Sequence, residues 1–120
     1  LRSRKESPDK PEPDYFYVKC NNKIERIVYD ELLYIEAMAN YVTLYTVSGK
    51  LVVYLTIKGI LEKLPKQNFI QVHKSVVVNA DKIKSIEGNL LHIGETKITM
   101  SAGFHTEAMD KILKDRFIKR

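Results

Sequence analysis

The sequence predicts one mainly β domain, and three observations predict it. From Tyr15 onward, apolar and polar residues alternate with the period-two rhythm of half-buried strands. Turn-prone pairs interrupt that rhythm at short intervals: Asn21-Asn22, Ser48-Gly49, Gly88-Asn89 and Gly94-Glu95. Only a mid-chain and a terminal segment carry apolar residues at helical spacing. A length of 120 residues suits a single domain with a core of modest size.

Residues 1–14 stand apart. They are polar, contain Pro8, Pro11 and Pro13, and show no apolar periodicity, which predicts a flexible tether and a chain that continues a longer protein. Strand-like segments at residues 15–20 and 23–28 flank Asn21-Asn22, two residues that tolerate positive φ, so a hairpin is expected there. Residues 29–32 read as a short helical turn. Strands follow at 33–37 and 41–46, with Met38, Ala39 and Asn40 between them, and Ser48-Gly49-Lys50 turns the chain into 51–55. Thr56 is the expected N-cap of a helix over 57–64, with Ile57, Ile60, Leu61 and Leu64 on one face and Pro65 as its stop. Short strands resume at 69–72, 76–78, 83–86, 90–93 and 97–100. A closing helix over 105–117 puts Met109, Ile112, Leu113 and Phe117 on one stripe, with Ser101 as its N-cap.

Composition narrows the function classes. Lys and Arg outnumber Asp and Glu by 20 to 15, a net charge of +5. In residues 1–14 the bases Arg2, Arg4, Lys5 and Lys10 are matched by Glu6, Asp9, Glu12 and Asp14, so the whole excess belongs to residues 15–120. A basic folded surface suits phosphate backbones or anionic lipid. Cys20 is the one cysteine, which excludes an internal disulfide framework and fits a reducing compartment. No apolar run has the length of a membrane span and no signal-peptide pattern is present. A cytoplasmic protein is expected.

Catalytic and metal motifs are absent. There is no Cys-x-x-Cys, His-Glu-x-x-His, P-loop or Gly-x-Gly-x-x-Gly, and no cofactor is expected. His92 lies where alternation points it outward. His73 and Ser75 invite a hydrolase reading, but the Gly-x-Ser-x-Gly elbow is missing, and a serine so near in sequence is not expected to present its hydroxyl to the same imidazole. Cys20 has no histidine nearby and reads as a core or edge cysteine. The expectation is a protein that is not an enzyme.

The most distinctive segment is Asn68-Phe69-Ile70-Gln71-Val72-His73-Lys74-Ser75-Val76-Val77-Val78-Asn79-Ala80, a polar His-Lys-Ser wedged between apolar runs. It resembles the signature of the LytTR (LytR/AlgR-type) DNA-binding domains, Phe-x-x-Val-His-Lys-Ser-x-x-Val-Asn. Other parts agree in order and spacing. Leu33-Tyr34-Ile35-Glu36-Ala37 followed by Asn40-Tyr41-Val42 resembles the family's acidic strand and the loop after it. Ile83-Lys84-Ser85-Ile86 resembles the strand after the signature, and the run from Lys97 resembles the closing strand, loop and helix.

The resemblance implies an elongated stack of small antiparallel sheets with one short mid-chain helix and a C-terminal helix, in which loops rather than a recognition helix read double-stranded DNA. It implies the output domain of a two-component response regulator controlling transcription, with an upstream receiver domain in the same chain. It also implies dimers on tandem direct repeats in promoters. Three contact regions follow. The first is the loop after the acidic strand, with Asn40 and its neighbour Tyr41, where an Asn amide suits an adenine edge. The second is the His-Lys-Ser turn, with Lys74 as the contact, His73 packed beside it to orient the loop, and Ser75 bonding locally. The third is the loop before the terminal helix, where the family commonly has Ser-Arg and this chain has Ser101-Ala102-Gly103. Ala102 has no bidentate group for guanine. Lys97, His105 or backbone amides at the helix start are the candidates to compensate.

Two other classes of function stand beside this one. The missing arginine fits a protein-interaction module of the same fold with reduced DNA affinity. The Tyr and Phe side chains fit stacking platforms for single-stranded nucleic acid, although core packing in strands is expected to account for most of them equally well.

Overall fold

A computed structural model describes residues 15–114 and residue 118; the expected tether over residues 1–14 lies outside the described residues, as does Phe117. The first hairpin pairs β1 (Tyr15–Cys20) with β2 (Lys23–Val28) in unbroken antiparallel register from Tyr15↔Val28 to Cys20↔Lys23. Asn21 takes the positive φ that this tight turn demands, at 60°. A two-stranded ribbon is at best marginal alone. This one is held by burying Val18 and Ile27 against the next layer.

That layer is a five-stranded antiparallel sheet ordered β5-β4-β3-β7-β6. Its members are β3 (Leu32–Met38), β4 (Tyr41–Thr46), β5 (Gly49–Val53), β6 (Phe69–His73) and β7 (Val76–Asn79). A 3-10 turn over Tyr29–Glu31 leads into β3 as expected. Between β5 and β6 comes α1 (Ile57–Leu61), where Thr56 Oγ1 accepts the Gly59 amide at 3.0 Å as the expected N-cap. A Cβ on Gly59 would come within 3.1 Å of that hydroxyl oxygen, so the cap itself favours glycine. The helix is three residues shorter than the 57–64 expected. Ile60 and Leu64 are nevertheless both buried, with Ile57 and Leu61 packed beside them, so the apolar stripe is used as its spacing implies.

A second 3-10 turn, Ala80–Lys82, leads to the three-stranded sheet β8 (Ile83–Glu87), β9 (Leu90–Ile93) and β10 (Thr96–Thr99), with Gly88 and Gly94 at positive φ in its turns. The chain closes with α2 (Ala102–Leu113). This helix starts three residues before the expected 105 and ends before the expected 117. Ser101 holds the N-cap position but makes no side-chain cap bond, and Lys114, at φ 43°, closes the last turn by donating its amide to Asp110 O.

The central sheet works on both faces. One face carries Leu32, Ile35, Val42, Leu44, Val53 and Val77 into a core shared with the first hairpin and α1. The other carries Ile70, Val72 and Val78 into a second core, shared with Leu91, Ile93, Ile98, Met100 and Ala108 of the small sheet and α2. Each fully buried Leu, Ile or Val contributes about 1.5–3 kcal/mol, and these two cores hold the three sheets together. Asn79 joins the layers as a buried polar node. Its Nδ2 donates to Tyr29 O at 3.2 Å and Leu32 O at 2.8 Å, while its Oδ1 accepts the Asp81 amide at 3.0 Å.

Among the described residues no helix is long and apolar enough to cross a membrane.

Candidate nucleic-acid interface

Antiparallel pairing dictates where the sheet's turns fall. β3 ends at Met38 where β4 begins at Tyr41, and Glu36 of β3 pairs with Val76 at the start of β7. The β3–β4 turn, holding Ala39 and Asn40, therefore shares one end of the sheet with the β6–β7 turn, holding Lys74 and Ser75. The Ala37 amide donates to Ser75 O at 2.8 Å and joins them directly. A second bond, Ser101 N to Val72 O at 3.0 Å, ties the start of α2 to the residue before His73. Two backbone bonds, spanning 38 and 29 positions of sequence, thus gather Asn40, Tyr41, His73, Lys74, Ser75, Ser101, Ala102 and Gly103 at one end of the domain.

A β-bulge shapes the middle of this end. Gln71 pairs with Val77 and His73 with Val76, so Val72 and His73 together oppose one residue. Val72 is buried in the second core and leaves its carbonyl for Ser101. His73 Nδ1 accepts the Ser75 amide at 3.1 Å, and Ser75 Oγ lies 3.1 Å from the same nitrogen. The expectation that Ser75 would not reach the imidazole is therefore corrected: at two residues' spacing the tight turn folds the hydroxyl back onto it. The bond from the backbone amide requires an unprotonated Nδ1, so a neutral ring carries its proton on Nε2. Among the described residues His73 has no carboxylate partner to orient it, and the pair serves as a turn clasp. Gln71 Nε2 donates to Lys74 O at 3.3 Å. Lys74 itself is exposed and forms no ion pair among the described residues.

Asn40 and Tyr41 are exposed. The turn before them is strained, since Ala39 sits at φ 56°, a left-handed conformation that a non-glycine residue rarely adopts. At the third region the expected loop is helix: Ala102 and Gly103 are exposed in the first turn of α2, and a Cβ on Gly103 would meet nothing within 4 Å. His105 lies in the same turn, half-buried. Lys97 is not gathered with the others. It is exposed at the far end of β10 opposite His92, and the four residues of extended chain to Ser101 span about 13 Å. His92 is half-buried rather than fully outward, with Nε2 3.3 Å from Glu87 Oε1. Cys20 is half-buried at the hairpin edge, its thiol donating to Val52 O at 3.3 Å.

The aromatic residues divide. Phe16, Tyr29 and Phe69 pack in a row, and Tyr34 stacks on Tyr45 with centroids 4.3 Å apart. Core packing does not account for Tyr15, Tyr17, Tyr41 and Tyr54, which are 38–69% exposed. Tyr54, beside Tyr41 with ring centroids 5.1 Å apart, is the member of this surface that alternation alone did not single out. Among the described residues no group of three or more His, Cys, Asp or Glu side chains is arranged to hold a metal ion.

With this geometry in place, the comparison with known proteins is decisive. The family model for the LytTr DNA-binding domain matches residues 22–113. The chain belongs to the LytTr DNA-binding domain family. An uncharacterized response regulatory protein of Vibrio cholerae is 35% identical over 68 residues, a match covering 53% of this chain and 26% of that protein. This chain therefore aligns with about a quarter of that relative's length. Among solved structures, the LytTr DNA-binding domain of a putative methyl-accepting/DNA response regulator from Bacillus cereus superposes with a TM-score of 0.72 at 19% identity, over 85% of this chain and 98% of that one. At that identity the likeness is one of fold, and it agrees with the mainly β LytTr architecture and its three antiparallel sheets.

Proposed function

We propose that the domain binds double-stranded DNA sequence-specifically and serves as the transcriptional output of a response regulator, with a receiver domain upstream. The observation that carries the reading is the gathering of the β3–β4 turn, the β6–β7 turn and the start of α2 at one end of the sheet by the bonds Ala37 N to Ser75 O and Ser101 N to Val72 O. Asn40 supplies an amide able to donate and accept at a base edge, and Lys74 supplies an exposed ammonium, with no ion pair among the described residues, for phosphate or guanine. The net +5 of residues 15–120 favours association with the duplex over their own neutral tether. Occupancy of tandem direct repeats by two copies would let an upstream signal act through avidity.

Selection of bound genomic fragments by the purified domain tests this. Enriched tandem repeats whose affinity falls steeply with salt are expected. A flat salt response with no enriched sequence would support the protein-interaction reading, which the absence of an arginine at Ala102 favours. Preference for single strands over duplex in direct competition would support the stacking reading, which the exposed tyrosines favour.

A further inference from the structure

The register places three exposed side chains in one row across the reading end of the central sheet. Met38 pairs with Tyr41. Val42 pairs with Val53, so Tyr54 stands opposite Tyr41 one step past the end of the β4–β5 ladder. These residues are 63%, 46% and 69% exposed, and they adjoin the Asn40 turn. The two tyrosine rings meet edge to face at 5.1 Å and 64°, a geometry that holds each against the other. Among the described residues of the β3–β4–β5 ladder, the carboxylate on this face is Glu36, which pairs with Thr43, about 7 Å down the ladder. The end row itself is free of negative charge.

Resting on the DNA-binding reading above, we propose that Tyr54 is a fourth contact element, its hydroxyl donating to a phosphate oxygen that flanks the bases met by the Asn40 turn. Core packing leaves this ring unexplained, while continuity with the Asn40 turn explains it. A groove-reading turn is flanked by the strands' phosphates, and a tyrosine hydroxyl is one of the ordinary donors to them. Tyr41 braces the ring, so the donor is held in place before binding and less freedom is lost when it engages. A neutral donor releases no counterion. Its contribution to affinity is therefore independent of salt, unlike that of Lys74.

The test uses the full chain and a mixed-sequence duplex several helical turns long, with affinity measured across a salt series for wild type, Tyr54→Phe, Tyr54→Lys and Lys74→Ala. Tyr54→Phe keeps the ring and its contact with Tyr41, and should weaken binding by roughly 2- to 10-fold with an unchanged salt slope. Tyr54→Lys should tighten binding and steepen the log–log slope by about 0.9. Wild-type affinity and slope in both variants, while Lys74→Ala still flattens the slope, would overturn the role of Tyr54 and leave the DNA-binding reading standing. A variant that altered self-association in sedimentation but not DNA affinity would assign the row to a protein contact and overturn it equally. Salt-insensitive or undetectable binding by wild type would remove both.

Discussion

His73 Nδ1 accepts the Ser75 amide at 3.1 Å, closing a turn whose middle residue, Lys74, points no charge at any described acid. The bond gives the histidine a mechanical task. It fixes the path of the backbone from the Val72 bulge to Ser75, and so the height at which the Lys74 stem leaves the sheet. Replacing His73 by Ala removes the acceptor for one amide, worth about 1 kcal/mol. We expect His73→Ala to weaken DNA binding by roughly fivefold with a melting temperature lowered by only a few degrees. His73→Asn, whose side-chain oxygen can accept the same amide, should recover part of the affinity. Loss of affinity in both variants alike would show that the imidazole acts by touching DNA and not by holding the turn.

Lys74 and Asn40 should separate anchoring from reading. If Lys74 meets phosphate, Lys74→Ala lowers affinity for all duplexes and reduces the salt slope by about 0.9. Asn40→Ala should leave the slope intact and relax discrimination at one or two base pairs by roughly 1–3 kcal/mol. Both residues are exposed, so thermal melts of the two variants should match wild type. Band shifts on selected and scrambled duplexes distinguish the two effects.

Asn79 answers to stability instead. It is only 3% exposed and satisfies Tyr29 O, Leu32 O and the Asp81 amide together. Asn79→Ala removes one buried bond, to Leu32 O, and two part-buried ones, to Tyr29 O, which keeps the Leu32 amide, and from the Asp81 amide, and leaving a buried group unsatisfied costs about 1–3 kcal/mol before relaxation. Denaturant unfolding should show a loss of at least about 2 kcal/mol, while the fraction that remains folded binds DNA as wild type does. Asn79 lies at the opposite end of β7 from Ser75, so a selective loss of DNA affinity in a stably folded variant would contradict this division of labour.

These contrasts show what was legible in the sequence. Period-two alternation and turn pairs locate each strand to within two residues, because a strand buried on one face repeats that pattern locally. Thr56 is legible as a cap because its hydroxyl serves an amide three residues on. The bulge at Val72 and His73 is not legible, since Phe69-Ile70-Gln71-Val72 alternates without a break and only pairing with β7 reveals two residues against one. Nor is the early start of α2. Ala102-Gly103-Phe104 lacks apolar periodicity, and the helix begins there because Ser101 is held against Val72 by its backbone. The family resemblance named the three regions proposed to contact DNA. Their meeting at one end depends on bonds between residues 29 to 38 positions apart, which no local pattern carries.

Strain beside the proposed reading residue is testable on its own. Ala39 at φ 56° carries a Cβ in a conformation that costs an L-residue about 1–2 kcal/mol. Glycine adopts it freely but gives up unfolded-state rigidity. The balance predicts that Ala39→Gly raises stability by about 0.5–1 kcal/mol. The same change loosens the turn that presents Asn40, and ordering it on binding should lower DNA affinity, by less than about tenfold. A thermal melt paired with a band shift checks the trade. Lower stability would mean that the turn relaxes to a different backbone path in solution.

Ala102→Arg decides between the DNA-binding and protein-interaction readings most sharply. Ala102 is exposed at the first position of α2, next to Ser101, whose amide is tied to the residue before His73. An arginine there leaves from the same end of the domain as Lys74 and has open space around its neighbour Gly103. Placing a cation at a helix N-terminus costs about 0.3–1 kcal/mol in stability, so a slightly lower melting temperature is expected. Against that, a guanidinium reaching a guanine edge contributes roughly 1–3 kcal/mol and a new guanine preference, and one reaching only phosphate steepens the salt slope by about 0.9. Tighter binding in either form means that the start of α2 faces the duplex. If the variant loses the expected stability yet binds DNA as wild type does, the side chain is present but turned away from the groove. That surface would then belong to a protein partner, and the absence of arginine at position 102 would mark a domain that has given up part of its DNA contact.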